Sequence, residues 1–127
     1  MRFGAVILLC LAAPPVMAQS YSALELESWC KFVDTASIRS DGAIGIPLTE
    51  NAGFCWAAFN TIGQLIGLVN DRGARTLKIC APPESTVAQS VKIFMRYVER
   101  HPEEAHLPFA PVALYALQEA FPCAASR

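Results

Sequence analysis

The chain has 127 residues, 54% hydrophobic and 17% charged, with ten basic residues against eleven acidic ones and two histidines. That length holds one hydrophobic core rather than two, and the balanced charge lacks the basic face that nucleic acid requires. The signs are mixed along the chain, so no acidic or basic tail is present.

Residues 1–18 read as a secretory signal to be excluded from the fold. Arg2 supplies the positive start, Phe3 to Val16 the apolar stretch, and Val16-Met17-Ala18 the small residues at the positions a signal peptidase reads. The apolar run is shorter than the roughly 20 residues a membrane span needs, and Pro14-Pro15 interrupts it. Cys10 follows Leu9, where a bacterial lipoprotein needs a small residue, so no lipid anchor is expected there. Cleavage after Ala18 leaves a single exported domain, residues 19–127, with nine basic residues against eleven acidic ones and no membrane span.

Cleavage also removes Cys10 and leaves Cys30, Cys55, Cys80 and Cys123. An even set in an exported chain predicts disulfides. A metal site is not expected, since no Cys-x-x-Cys occurs and neither His101 nor His106 lies at a zinc-type spacing from a cysteine. Four cysteines allow three pairings.

In the mature chain a first helix is predicted from Ser22 to about Ser37. Ser22 and Glu25 form a reciprocal capping pair, and Leu26, Trp29, Cys30 and Val33 recur on one side, with Glu27, Lys31 and Asp34 on the other. Residues 38–48 lose the pattern in a loop with two Gly and a Pro. A second helix follows from about Glu50 to Asn70, with Thr49 as N-cap. Phe54, Ala58, Ile62, Leu65 and Val69 mark one face of it and Cys55, Phe59 and Ile66 another, which predicts the central, most buried helix. Gly63 and Gly67 at a spacing of four would permit a close helix approach. Asp71, Arg72, Arg75 and Lys78 then make a charged connection to Cys80.

The last stretch reads as a helical hairpin. After Cys80-Ala-Pro-Pro, either Ser85 or Thr86 can cap a helix, Thr86 with Gln89 as a capping box; its stripe is Val87, Val91, Phe94, Met95 and Val98, and His101-Pro102 ends it. Pro108 and Pro111 sit where a first turn tolerates them; Val112, Ala113, Ala116, Leu117, Ala120 and Phe121 form the second face, and Pro122 stops it. The short connection forces antiparallel packing, which brings Cys80 and Cys123 to one end and favours their pairing, leaving Cys30 for Cys55. The predicted fold class is all-α: a small disulfide-stapled bundle of about four helices near 22–37, 50–70, 86–101 and 109–121, with Phe94, Val98, Leu117 and Phe121 in the core.

Three segments of this chain, Cys-Ala-Pro-Pro before the third helix, Arg-His-Pro-Glu-Glu-Ala-His-Leu-Pro across the turn and Ala-Leu-Gln-Glu-Ala-Phe-Pro-Cys at the end, resemble the Rap/Tai family. These are the resistance-associated and type VI amidase immunity proteins of bacteria. Phe54-Cys55-Trp56-Ala57-Ala58-Phe59 resembles the family's Cys-x-Gly-aromatic segment, with Ala57 in place of the glycine. The resemblance spans residues 55 to 123. It implies a periplasmic protein, all-helical and often a homodimer, that binds and inhibits a peptidoglycan amidase effector delivered by type VI secretion. The rival expectation is a general periplasmic stress chaperone or envelope scaffold without an amidase partner.

Catalytic chemistry is not expected, nor is any cofactor or metal. A Ser or Cys nucleophile needs a neighbouring base, and the cysteines are taken by disulfides. His101 and His106 would point about 140° apart on a helix. His101 is accounted for by the field at a helix C-terminus, and Glu103 and Glu104, adjacent and so diverging, by that at a helix N-terminus. Binding surfaces are commonly loops held on a rigid scaffold. The candidate partner-binding residues are therefore Ser40, Asp41, Gly42, Ile44 and Ile46 in the first loop and Asp71, Arg72 and Arg75 in the second.

Overall fold

The computed structural model describes residues 20–37, 39–40 and 43–124. The expected signal segment, Asp41 and Gly42 lie outside the described residues. The helices are α1 (Ala23–Cys30), α2 (Phe32–Thr35), α3 (Glu50–Ile66), α4 (Val87–Arg100) and α5 (Phe109–Ala120), with a 3-10 turn at Pro102–Glu104. Helices α1 and α2 are one helix interrupted at Lys31, whose backbone stays right-handed, so the architecture is the expected four-helix, all-α one. No strand forms among the described residues, where pairing is limited to isolated bridges such as Ser22 with Pro108 and Ile79 with Pro122.

The starts of α1, α3 and α4 follow from their caps, whereas α5 begins at Pro108 without a side-chain cap. The Ser22 backbone N–H donates to Glu25 Oε2 at 2.8 Å, while Ser22 Oγ accepts from the Glu25 N–H at 3.2 Å. Thr49 Oγ1 accepts from Ala52 N–H at 3.3 Å, and Thr86 Oγ1 from Gln89 N–H at 3.1 Å. The first free N–H groups of α1 are satisfied from the α4–α5 turn: Ala23 donates to Leu107 O at 2.8 Å and Leu24 to Ala105 O at 2.9 Å. That turn therefore serves as the docking site for the start of α1. At the opposite end of the hairpin, Cys80 N–H donates to Phe121 O at 2.9 Å and the Cys80–Cys123 disulfide closes beside it. The second disulfide joins Cys30 at the end of α1 to Cys55 on α3.

The hydrogen bonds Glu25 accepts, chiefly from the Ser22 backbone and then from its hydroxyl, hold its carboxyl below the usual range. A depressed carboxyl contributes stability that is present above the usual carboxylate range and lost as pH falls through the folded value. Glu25→Gln is thus expected to melt slightly below the wild type at neutral pH, with the gap closing in acid. Thermal melts from neutral pH downward measure it, and a gap that widens in acid contradicts it.

Helix α4, rather than α3, is the central element: it packs against α1, α2, α3 and α5, whereas α3 lies chiefly on α1 and α4. Phe59 of α3 meets Phe94 of α4 with ring centroids 5.3 Å apart, and both are fully buried. Phe94, Val98 and Leu117 are core, but Phe121 is only partly buried, because it is the residue where the chain leaves α5. Glu27, expected on a polar side, is 6% exposed, since α1 is covered by α3, α4 and α5 together; its partner is Lys31 Nζ at 3.6 Å. Helix α3 also ends four residues before the expected Asn70. Gly67 caps it, and residues 68–76 fold into a tight hairpin with Thr76 N–H donating to Leu68 O at 3.1 Å. Among the described residues no helix packs closely on the glycine pair: a side chain built at Gly63 would meet nothing within 4 Å, and Gly67 meets only Gln64 O of its own turn.

Candidate partner-binding surface

Five residues of α3, Ala52, Cys55, Phe59, Ile62 and Ile66, face the core. The helix is apolar nearly all round, so with only two main neighbours it leaves a second apolar face in solvent. On that face Phe54 is 37% exposed and Leu65 43%; in the hairpin after the helix Leu68 is 53% exposed and Val69 57%. Phe54, Ala57, Ala58, Thr61 and Leu65 with Phe109 and Ala110 of α5 enclose a shallow depression of about 370 Å³.

An aromatic cluster makes this surface rigid. Tyr21, Trp29 and Phe54 meet edge to face with centroids 4.8, 5.1 and 5.4 Å apart, and Phe109 joins Phe54 at 6.4 Å. Tyr21 is itself fixed by its backbone carbonyl, which accepts from Phe109 N–H at 2.9 Å. Contacts of this geometry exceed area burial alone by about 0.5–1.5 kcal/mol each. Scattered exposed apolar residues are ordinary, whereas large contiguous apolar patches are common at interaction sites.

The two loops expected to bind a partner stand at opposite ends of α3, where the first enters at Glu50 and the second leaves after Ile66, about 25 Å of helix apart. In the first, Ser40 is exposed, while Ile44 and Ile46 are half-buried and fold back, Ile44 onto the core. They line a slot of about 540 Å³ with Val33, Trp56 and Lys92. In the second, Asp71 and Arg72 are exposed at the hairpin tip. Asn70 Oδ1 accepts from the Arg72 and Ala74 N–H groups at 3.0 and 2.9 Å, and Gly73 takes the left-handed φ of 75° that the turn requires. Arg75 has a structural task, its guanidinium donating to Ile66 O at 3.1 Å to satisfy a terminal carbonyl of α3. Sequence reasoning missed the outer face of α3. The apolar residues on two sides of α3 were legible, but not which of the two sides the bundle would leave uncovered.

In the α4–α5 turn, His101, Glu103 and Glu104 place one potential ligand atom each within 4.8 Å of one another. The tight 3-10 turn makes the two carboxylates converge, contrary to the expected divergence. Both are occupied within the turn. His101 Nδ1 lies 3.2 Å from Glu103 Oε1, and Tyr97 OH donates to Glu104 Oε2 at 3.1 Å while its ring lies against His101. Glu103 is held below the usual carboxylate range, first by its backbone hydrogen bond and then by His101. Burial, followed by the Glu104 hydrogen bond, raises the Tyr97 phenol. The cluster organises the turn on which α1 docks.

Among the described residues no helix is long and apolar enough to cross a membrane. No curated protein and no solved structure matches the chain. The family model of the Rap1a immunity proteins matches residues 22–123, from the cap of α1 to the last disulfide cysteine. That match takes in all the helices, both bridges and the apolar face of α3, and the chain belongs to the Rap1a immunity protein family.

Proposed function

We propose that the chain is a periplasmic immunity protein that binds and inhibits a peptidoglycan amidase effector of a type VI secretion system, with the outer face of α3 as the centre of its interface. The observation that carries the reading is that face. It is apolar, has an aromatic cluster at one end and the charged tip Asp71 and Arg72 at the other, and is held on a frame closed by two disulfides. An apolar, aromatic centre with a polar rim is the usual anatomy of a protein interface. Family membership supports a partner effector, and the two bridges suit an oxidising compartment reached through a cleaved signal at 1–18. The hydrolytic chemistry belongs to the amidase; this chain acts by occupying it. Homodimerisation belongs to the same reading and is measured by sedimentation velocity at rising concentration.

A pull-down with the exported chain from periplasmic extract, read by mass spectrometry, tests the identity of the partner. Recovery of a peptidoglycan amidase whose lytic effect is suppressed when both proteins are directed to the periplasm is the expected result. Recovery of unrelated envelope proteins without an amidase favours a general chaperone or scaffold instead.

A further inference from the structure

On the side of α3 away from Phe54, the slot beside Trp56 has no place in the partner reading. Residues 54 and 56 are about 200° apart around the helix axis. Its wall is apolar, built from Val33, Ile44, Ile46 and Trp56, and its volume of about 540 Å³ falls within the range of small-molecule pockets, about 300–1,000 Å³. Lys92 of α4 lines it, half-buried and with no ion pair or hydrogen bond to any described residue. A second groove of about 330 Å³ shares Thr86, Ala88 and Lys92 with the slot and continues to Arg96, one turn further along α4. No described carboxylate lines either groove.

We infer that this slot is a binding site for a single-chain anionic amphiphile, its apolar chain against Trp56 and Ile46 and its acid head on Lys92, with Arg96 at the rim. Two features favour that chemistry. An apolar cavity excludes a ligand charged along its length, because each buried charge needs a partner. Lys92, the one cation among the described residues that line the slot and half-buried with no counter-ion among them, is best matched by a single anionic head, since a charge-assisted contact is stronger than a neutral one. A neutral lipid would leave the ammonium unpaired, and a cationic one would oppose it. The site stands apart from the outer α3 face and does not depend on the identity of the protein partner.

The test is titration of the exported protein, below micelle-forming concentrations, with decanoate, decyl phosphate, decanol and decyltrimethylammonium, followed by calorimetry and tryptophan fluorescence. One-to-one binding of decanoate and decyl phosphate, about tenfold tighter than decanol, is expected. The two anions distinguish a carboxylate from a phosphate head. In Lys92→Met the preference for anion over alcohol should disappear while decanol binding stays; because Lys92 is a half-exposed surface residue of α4, folding is checked by an unchanged melt. Equal binding of decanoate and decanol by the wild type overturns the inference. So does anion binding unaffected by Lys92→Met, and so does the absence of saturable binding. An acidic leucine-containing peptide that binds in a Lys92-dependent way more tightly than either anion also overturns it, in favour of a protein segment as occupant.

Discussion

Replacing Cys80 and Cys123 together by Ala is expected to lower the free energy of unfolding by about 4 kcal/mol, the chain-entropy estimate for a bridge spanning 43 residues. The native contacts around that bridge support so large an effect without duplicating it. The Ile79–Pro122 bridge, the Cys80 N–H bond to Phe121 O and the 2.9 Å hydrogen bond from Gln118 Nε2 to Leu77 O hold the same two segments together. They exist only once the segments have met, whereas the covalent link restricts the unfolded chain. The Cys30–Cys55 bridge, spanning 25 residues, contributes about 3.5 kcal/mol on the same estimate. Both of its cysteines are fully buried, so its loss also disturbs core packing. Domains of this size have about 5–15 kcal/mol in total. Reduction of both bridges is therefore expected to unfold much of the population at physiological temperature. Urea unfolding of the wild type, the Cys80/Cys123 variant and the reduced protein measures this; a midpoint unmoved by the double replacement contradicts it.

The second large effect concerns the outer face of α3, on which Leu65 stands, and the hairpin just after it, which begins at Leu68. Leu65→Asp and Leu68→Asp are each expected to weaken binding of the proposed amidase partner about 30-fold or more while leaving the melting temperature nearly unchanged. Both side chains are largely solvent-exposed, so a carboxylate there costs the fold little. In the complex the same carboxylate would be buried against apolar surface without a partner, a cost of about 2 kcal/mol or more at the centre of an interface. Phe54 is the less clean probe, because it also supports Tyr21, Trp29 and Phe109. Affinities of the two Leu variants by surface plasmon resonance, alongside Asp71→Ala and Arg72→Ala at the rim, test the assignment. Rim variants are expected to alter association rate and salt dependence more than affinity. Weakening by the rim variants alone would move the interface to the hairpin tip.

The parts of this fold legible in the sequence are those written in local chemistry. Ser22 with Glu25, Thr49 and Thr86 are caps whose hydrogen bonds lie within three residues, and Pro102 and Pro122 stop helices whatever surrounds them. Antiparallel pairing of the last two helices followed from their short connection, and with it the proximity of Cys80 to Cys123. The number of neighbours each helix receives was not legible. Apolar residues on two sides of α3 are equally consistent with burial on both, and only the assembled bundle shows that α4 takes the central place. In the same way Glu27, on the side of the first helix opposite its apolar stripe, is buried because α1 is covered on several sides. The end of α3 was missed for a different reason. Leu68 and Val69 continue the apolar pattern, but the hairpin held by Asn70 and Gly73 competes for their backbone and wins once Gly67 has ended the helix. Of the candidate binding residues, Asp71 and Arg72 stand exposed at the tip of the second loop, whereas Ile44 and Ile46 turn inward to line the slot.

The central claim, that this chain silences an amidase by occupying it through the outer face of α3, is tested most directly by titrating the exported protein into the purified amidase while following peptidoglycan hydrolysis. Activity falling to zero at one chain per enzyme, with Leu65→Asp requiring a large excess for the same effect, is the predicted result. Undiminished hydrolysis at excess wild-type protein would contradict the claim, and equal inhibition by wild type and Leu65→Asp would contradict its assignment to that face.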